Sequence, residues 1–445
     1  MITIGKPYIY EDNEFAYLKA PITISEDTVK AYAAMTGKFK HVHWRLYENY
    51  PPVEWQEDGS GMWFAVPKEY KQYLYADRAD AFVVGMLWYA MVTESDIKCE
   101  APISRRMSFY IQQYLFPAAM KESKGYGRKI KLIAETSEQR CESAGGVGTG
   151  MSCGVDSLYT LQRYNNDSIP EEYRLTHLAY FNMGAIFHPD RATKKVYTMK
   201  EFYETTDRMS VEKCENAQRV ADESNLKLLY VKSNLDSDYY RGGYGDTGVY
   251  RNCACVLALQ RLFKKYYCSS GGAPEHLSFN LDQASEYHEV LLCDALSTED
   301  TQFILSDYAN RIEKIEALAH DKIAQKYLDV CFRFNSCGEC SKCKRTLVML
   351  DILGVVDKYS EVFDTNKFKK DRNRIYAWLL QSKDGDPNTN EDVDFAVDMY
   401  NYAEAHNVKI PEEAYKICKE ERRKKTFVGR MMGFIKRKLL PKSLS

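Results

Sequence analysis

Gly148-Thr149-Gly150-Met151-Ser152-Cys153-Gly154-Val155-Asp156-Ser157-Leu158 is the stretch that decides the fold. Small residues and one carboxylate stand between a Gly-rich lead-in and an apolar-periodic run. That composition reads as a strand, a tight turn and a helix start. Glycine lets a phosphate approach the backbone closely, and the free N–H groups of a helix start favour an anion. Ser152 and Ser157 can donate hydroxyl hydrogen bonds to phosphate oxygens. Gly154 keeps the turn free of a Cβ, and the backbone at Cys153 and Val155 completes the cradle. Asp156 would stand too near bound phosphates without a cation, so it is expected to hold Mg²⁺, directly or through water. The plainer reading is a Gly/Ser turn of the kind many α/β proteins contain.

The pattern downstream of this loop is βαβα. Gly146 to Ser152 is a small-residue strand and Asp156 to Tyr164 begins a helix. Leu175 to Phe181 reads as the next strand and ends in Asn182-Met183-Gly184-Ala185. Ser210 to Ser224 is helical, Leu226 to Lys232 a strand, Asn252 to Tyr266 a helix, and Tyr267 to Gly272 a strand entering a turn. Alternation of this kind predicts an α/β, doubly wound, mostly parallel sheet covered on both faces. Ligands bind such sheets beyond the carboxyl ends of the strands. The loops after Met151, Phe181, Val231 and Cys268 are therefore expected to line one cleft. Asn182 and Gly184 are candidates for an edge of this cleft, and Arg251, at a loop–helix junction, for a phosphate contact.

The 445-residue chain has room for several domains, and its hydrophobic content of 45% is ordinary for a globular protein. A net charge of −2 argues against nucleic acid as a partner of the whole surface. No signal-like leader or membrane-length apolar run is present, so a cytoplasmic protein with reduced cysteines is expected. There are 13 cysteines. Four of them fall in Cys331-Phe-Arg-Phe-Asn-Ser-Cys337-Gly-Glu-Cys340-Ser-Lys-Cys343. Such spacing can close a tetrahedral shell of four thiolates, and Zn²⁺ in a structural site favours that shell. Arg333, Lys342, Lys344 and Arg345 would offset its negative charge. An iron–sulfur cluster or free thiols are the alternatives.

The Ser-Cys-Gly-Val-Asp-Ser core at 152–157 resembles the Ser-Gly-Gly-x-Asp-Ser loop of the PP-loop ATP pyrophosphatases. Those enzymes cleave ATP between its α- and β-phosphates. With Cys331, Cys337, Cys340 and Cys343 following in order, residues 146 to 350 resemble 7-cyano-7-deazaguanine synthase, the nitrile-forming enzyme of queuosine precursor synthesis. In that family the loop binds ATP and the four cysteines bind zinc. The resemblance implies a Rossmann-like sheet of the adenine nucleotide alpha-hydrolase type. It implies adenylation of a carboxylate or amide-like oxygen, with AMP and pyrophosphate released and ammonia or an amine as acceptor. Asp156, Ser157, Ser152 and Arg251 would carry the catalysis. The chain departs from that family in Cys153, which replaces the first loop Gly, in the spacing of its first cysteine, and in extra segments at both ends. A divergent relative with a different substrate is the reading that follows.

The expected organisation is an N-terminal α+β domain at 1–140, an ATP-binding domain at 141–300, a helical four-cysteine subdomain at 301–360 and a charged helical tail at 361–445. In the first segment Trp63 to Pro67 reads as a strand, Ala79 to Val92 as a buried helix and Arg128 to Glu135 as a half-buried strand. His41 and His43 lack further ligands nearby in sequence and read as ordinary residues. Ser297-Thr298-Glu299 and the segment holding Asp282, Glu286 and His288 are secondary candidates for the site. Lys419 to Lys442 carries ten basic residues against Glu420 and Glu421, interleaved with apolar ones. It suits peripheral contact with an anionic membrane, or a solvated or partner-docking tail. No N-terminal cysteine glutaminase is evident, so a small-molecule acceptor with free ammonia, an amine or a donor partner protein is expected, in a homodimer. Two alternatives stay open. One is sulfur transfer to a tRNA base or metabolite, with Cys153 or Cys268 as carrier. The other is a protein that binds ATP without turnover.

Overall fold

The computed structural model describes residues 1–36, 61–122, 129–186, 199–240, 244–271, 277–279, 281, 284–331, 336–385 and 392–424. His41, His43, Asp282 and the tail beyond 424 lie outside the described residues. The chain divides into two compact units, Met1–Asn310 and Arg311–Ser445.

The first unit is built on a sheet with eight strands among the described residues. They are β1 (Tyr8–Glu11), β2 (Phe15–Ala20), β3 (Met62–Pro67), β4 (Gly146–Gly150), β5 (His177–Asn182), β6 (Lys227–Ser233), β7 (Phe263–Cys268) and β8 (Gln302–Leu305). Their spatial order is β8-β7-β4-β5-β6-β3-β2-β1. The five strands from β4 to β8 pair in parallel, so in chain order they read 3-2-1-4-5 across the sheet. That is a doubly wound arrangement, and its topological switch point falls between β4 and β7. β3, β2 and β1 extend it as an antiparallel edge.

Alternation along the strands sets the two layers. Leu18, Phe64, Val66, Ala179, Leu229 and Val231 face a core shared with helices α1 (Asp80–Val92), α4 (Tyr244–Leu257) and α5 (Glu289–Leu296). Helix α2 (Val155–Tyr164) packs on β4, and α3 (Met199–Glu223) packs on β5 and β6. Leu178 and Tyr180, which alternate with Ala179, are buried outside that core cluster, as are Leu158, Ala217 and Val220. α1 is nearly continuous in apolar residues and buried along almost its full length, as its sequence predicts. The run of small residues in β4 has a steric cause: a Cβ on Gly148 would lie 2.4 Å from the Phe263 ring.

The segment 1–140 supplies three strands and α1 to the same sheet and core as the segment that follows. The helix expected over Asn252–Tyr266 ends at Leu257, and Phe263–Cys268 is β7. Gln260 marks the break, because its side chain is drawn into bonds with Arg78, Asp80 and Thr298. Residues just after 300 are the strand β8 rather than the start of a helical subdomain. A four-residue strand carries too little alternation to be seen in sequence.

In the second unit, α6 (Arg311–Leu318), α7 (Ser341–Ile352), α8 (Thr365–Lys383) and α9 (Val393–Ala405) bury Ile312, Ile315, Leu347, Leu350, Phe368, Leu379, Ala396 and Met399. The Asp364 side chain caps α8 by accepting from Lys367 N at 2.9 Å.

Candidate functional site

β4 ends at Gly150, and Met151 N still donates to Ala179 O of the neighbouring strand at 2.8 Å. The chain then turns through Ser152, Cys153 and Gly154 into α2, at the carboxyl end of β4 beside the switch point. Gly154 is the N-cap, in extended conformation, and no side chain caps the helix. Being glycine, the N-cap residue offers no side-chain acceptor of its own to the first-turn N–H groups. Ser152 is exposed; its Oγ lies 3.4 Å from Ser157 Oγ and 3.3 Å from Gly154 N. Ser157 Oγ also donates to Gly154 O at 3.1 Å. Two hydroxyls and a helix start thus converge on one point. Thr149 beneath them bonds Tyr267 O at 3.0 Å and Ser269 Oγ at 3.2 Å, tying β4 to the loop after β7.

Cys153 adopts φ +59° and is 1% exposed. That is the left-handed region, which glycine occupies freely and other residues at a cost of about 1–2 kcal/mol. The residue that interrupts the glycine pattern keeps the backbone shape glycine would give. Its side chain is packed into the protein, not into the mouth of the loop.

The other sequence candidates are distributed unevenly. Asn182, at the end of β5, donates to Asp207 Oδ1 at 2.9 Å and Tyr230 Oη at 3.2 Å. Gly184 has φ +93°, and a Cβ there would lie 2.3 Å from Asp236 Cγ. Asp236 in turn pairs with Arg251, whose Nη1 lies 2.8 Å from Asp236 Oδ1 and 2.9 Å from Met183 O. Arg251 is fully buried, with the rings of Tyr240 and Tyr244 at 4.7 and 5.6 Å. It is a clamp on the Met183-Gly184 turn, not the solvent-facing phosphate ligand that its loop–helix position suggests. Ser297-Thr298-Glu299 is also placed differently. It precedes β8, at the amino ends of the parallel strands. There Glu299 and Asp300 bind the buried Arg78 at 3.2 and 2.5 Å, and Glu299 accepts from Arg106 N at 2.8 Å. These bonds hold the molecule together at the end of the sheet opposite the 151–157 loop.

One residue at the carboxyl ends escapes sequence reading. Glu289 opens α5 and is 4% exposed, and its Oε2 accepts from Gly271 N at 3.3 Å. Burial, with the charges of Glu286, Cys268 and Asp156 nearby, pushes its carboxyl well above the usual range. The Glu286 carboxylate packs on Gly271, where a Cβ would meet its Oε2 at 2.5 Å. A buried carboxyl with a raised pKa and two further carboxylates therefore gather about the switch point. In sequence Glu289 is an ordinary first-turn acid, and nothing local distinguishes it. His288 is buried with its ring 4.8 Å from Phe279.

In the second unit the four cysteines converge as their spacing predicts. Their sulfurs all lie within 4.8 Å of one another, with Cys331–Cys340 and Cys337–Cys343 at 4.0 Å. A tetrahedron with bonds of about 2.3 Å has edges of about 3.8 Å, so the cluster fits a metal ion such as zinc. Backbone N–H groups point at the sulfurs: Cys337 to Cys331 at 3.4 Å, Cys340 to Cys337 at 3.3 Å and Cys343 to Cys340 at 3.5 Å. Gly338, at φ +68°, makes the turn, and Cys340 caps α7. Of the basic neighbours, Arg345 is spent on Asp392 at 3.4 Å and on the Phe395 ring at 4.1 Å.

Among the described residues no helix is long and apolar enough to cross a membrane. Residues 425–442, the greater part of the basic tail, lie outside them. Compared with protein-family models, with curated proteins and with solved structures, the chain finds no match.

Proposed function

We propose that the 151–157 loop binds the phosphates of ATP, and that the chain adenylates a carboxylate or amide-like oxygen and passes the activated group to ammonia or an amine. The sheet is then of the PP-loop ATP pyrophosphatase type. One observation carries the reading: a loop with two neighbouring hydroxyls and a glycine-capped helix start lies beside the switch point of a 3-2-1-4-5 sheet. Ligands of doubly wound sheets bind at that place.

In this reading Ser152, Ser157 and the first N–H groups of α2 hold the phosphates. Asp156, in the first turn of α2, would hold Mg²⁺, which neutralises charge on the leaving pyrophosphate. The substrate oxygen attacks the α-phosphorus and the bond to the β-phosphate bridge breaks. The adenylate is then attacked by nitrogen, and AMP leaves. Positioning and fixed dipoles supply the catalysis. Glu289, buried with its carboxyl raised above the usual range, can hold a proton close to the reacting groups. Arg251 acts at one remove, by fixing the turn at Met183-Gly184.

The test is a product analysis. ATP labelled at the α-phosphate is incubated with the full chain, ammonium and a panel of small carboxylic acids and amides. AMP and pyrophosphate in equal amounts are expected, and Asp156→Asn should slow their release on the order of 100-fold. ADP with inorganic phosphate as products, or an unimpaired Asp156→Asn enzyme, would contradict the proposal. The four-cysteine cluster is read as a structural zinc site, with all four positions filled by protein. Elemental analysis should find about one equivalent of zinc, lost in Cys340→Ser; iron with labile sulfide would contradict this.

A further inference from the structure

The large sheet ends in β1, which pairs with β2 on one side and with no described strand on the other. Its first three residues are large and open to solvent: Tyr8 is 44% exposed, Ile9 38% and Tyr10 50%. An edge of this kind is a template for a further strand, and folded proteins usually blunt it or cover it. Lys6 and Pro7 precede the strand, and Glu11 and Asp12 end it.

The register decides which backbone groups the edge offers. Antiparallel neighbours alternate between pairs that exchange both ladder bonds and pairs that exchange none. Trp63 N turns away from β2 and donates to Asn234 Oδ1 at 2.9 Å, so the Trp63–Lys19 pair exchanges none. Leu18 and Ala16 then bond β3, while Lys19 and Tyr17 bond Tyr8 and Tyr10. The bond from Asp12 N to Phe15 O at 3.0 Å, in the turn between β1 and β2, has the same phase. Ile9 and Glu11 therefore direct both N–H and C=O away from the sheet. Pro7, two residues before Ile9, has only a carbonyl to offer.

The segment Lys6-Pro7-Tyr8-Ile9-Tyr10-Glu11-Asp12 is complementary to its own reverse. About Ile9, Tyr8 mirrors Tyr10 and Lys6 mirrors Asp12. Lys6 is exposed and pairs with no carboxylate among the described residues. Glu11 is already paired with Lys71 in its own chain. The Asp12 carboxylate is held in place by Glu14 N and Phe15 N, both at 2.8 Å, and by Tyr17 Oη at 2.5 Å.

We propose that β1 is the contact with a second copy of this chain, antiparallel and two-fold about Ile9, joining two eight-stranded sheets edge to edge. Ile9 exchanges both of its bonds with Ile9 of the second copy, and Glu11 N donates to Pro7 O, twice by symmetry. Tyr8 and Tyr10 meet across the seam on one face, and the two Ile9 side chains meet on the other, which is the face of the buried Leu18. Lys6 of each copy reaches Asp12 of the other. A parallel copy would set Lys6 against Lys6 and Asp12 against Asp12. The 151–157 loop follows β4, which β5, β6, β3 and β2 separate from β1, so the contact does not rest on the function proposed above.

Sedimentation velocity of the full chain over about 1 to 100 μM tests the contact. A monomer–dimer equilibrium in the micromolar range is expected of so short a seam. Ile9→Lys sets two like charges against each other at the two-fold and should weaken the dimer at least about tenfold, with the urea midpoint checking that the fold is kept. The register has its own test. Tyr8 and Tyr10 of opposite copies form a pair whose Cα atoms lie about 4.5 Å apart, within disulfide reach. Mixed and mildly oxidised, Tyr8→Cys and Tyr10→Cys chains should give a covalent dimer whose disulfide maps to positions 8 and 10 by mass spectrometry, and neither variant alone should. A chain that stays monomeric over that range would overturn the proposal. So would a dimer that Ile9→Lys leaves intact, or cross-linking at these positions as strong in one variant alone as in the mixture.

Discussion

Cys153 is held at φ +59° with its side chain buried, at the turn between β4 and α2. Ordinarily an Ala variant is more stable than a Gly variant, because glycine gives up more freedom on folding. In the left-handed region the order inverts, since a Cβ there is crowded by the following carbonyl. Cys153→Gly and Cys153→Ala both lose the packed thiol, so comparing them isolates the backbone term. Cys153→Gly should be the more stable by about 1 kcal/mol in urea unfolding. An equal or reversed order would show that the turn is not strained. The strand–turn–helix that brings Ser152 near Ser157 was legible because it depends on neighbours a few residues away. Arg251 was not: its partners Asp236 and Met183 come from two other loops, and only the fold shows that it is enclosed by them.

At the scale of elements, α5 brings the least expected chemistry to the switch point. Its first residue, Glu289, is buried beside Gly271, Glu286 and Asp156, which raises its carboxyl above the usual range. The sign follows from that direction. The folded state binds this proton more tightly than the unfolded chain. The carboxyl therefore favours folding while both states are protonated, and that benefit is lost as pH rises from the ordinary glutamate range through the raised value. Glu289→Gln keeps the shape and an acceptor for Gly271 N while removing the charge. Its stability relative to the natural chain should increase as pH rises above the ordinary glutamate range, read as the shift in urea midpoint. A difference that does not vary with pH would remove Glu289 from the account of the site. Elements with strong local patterns, such as α1 and β5, lie close to where sequence places them. β8 and the start of β7 do not, because short aromatic or apolar runs fit a buried helix and a buried strand equally well.

At the scale of the whole molecule, the parallel sheet of β4 to β7 was implied by alternation, but β8 and the antiparallel edge were not. β3 joins β6 across more than 150 residues of chain, and that pairing leaves no mark in either segment alone. The four-cysteine cluster was legible for the opposite reason, since all its ligands fall within one short stretch. A phosphate site here depends on the 151–157 loop, which is local in sequence, and on the switch point, which only the assembled sheet reveals. Calorimetric titration of the full chain with ATP and Mg²⁺ addresses both together. One ATP should bind per chain, with at least about a tenfold loss of affinity in Asp156→Asn and in Ser157→Ala. Absence of binding, or binding that neither substitution weakens, would contradict the assignment of this loop as a phosphate site.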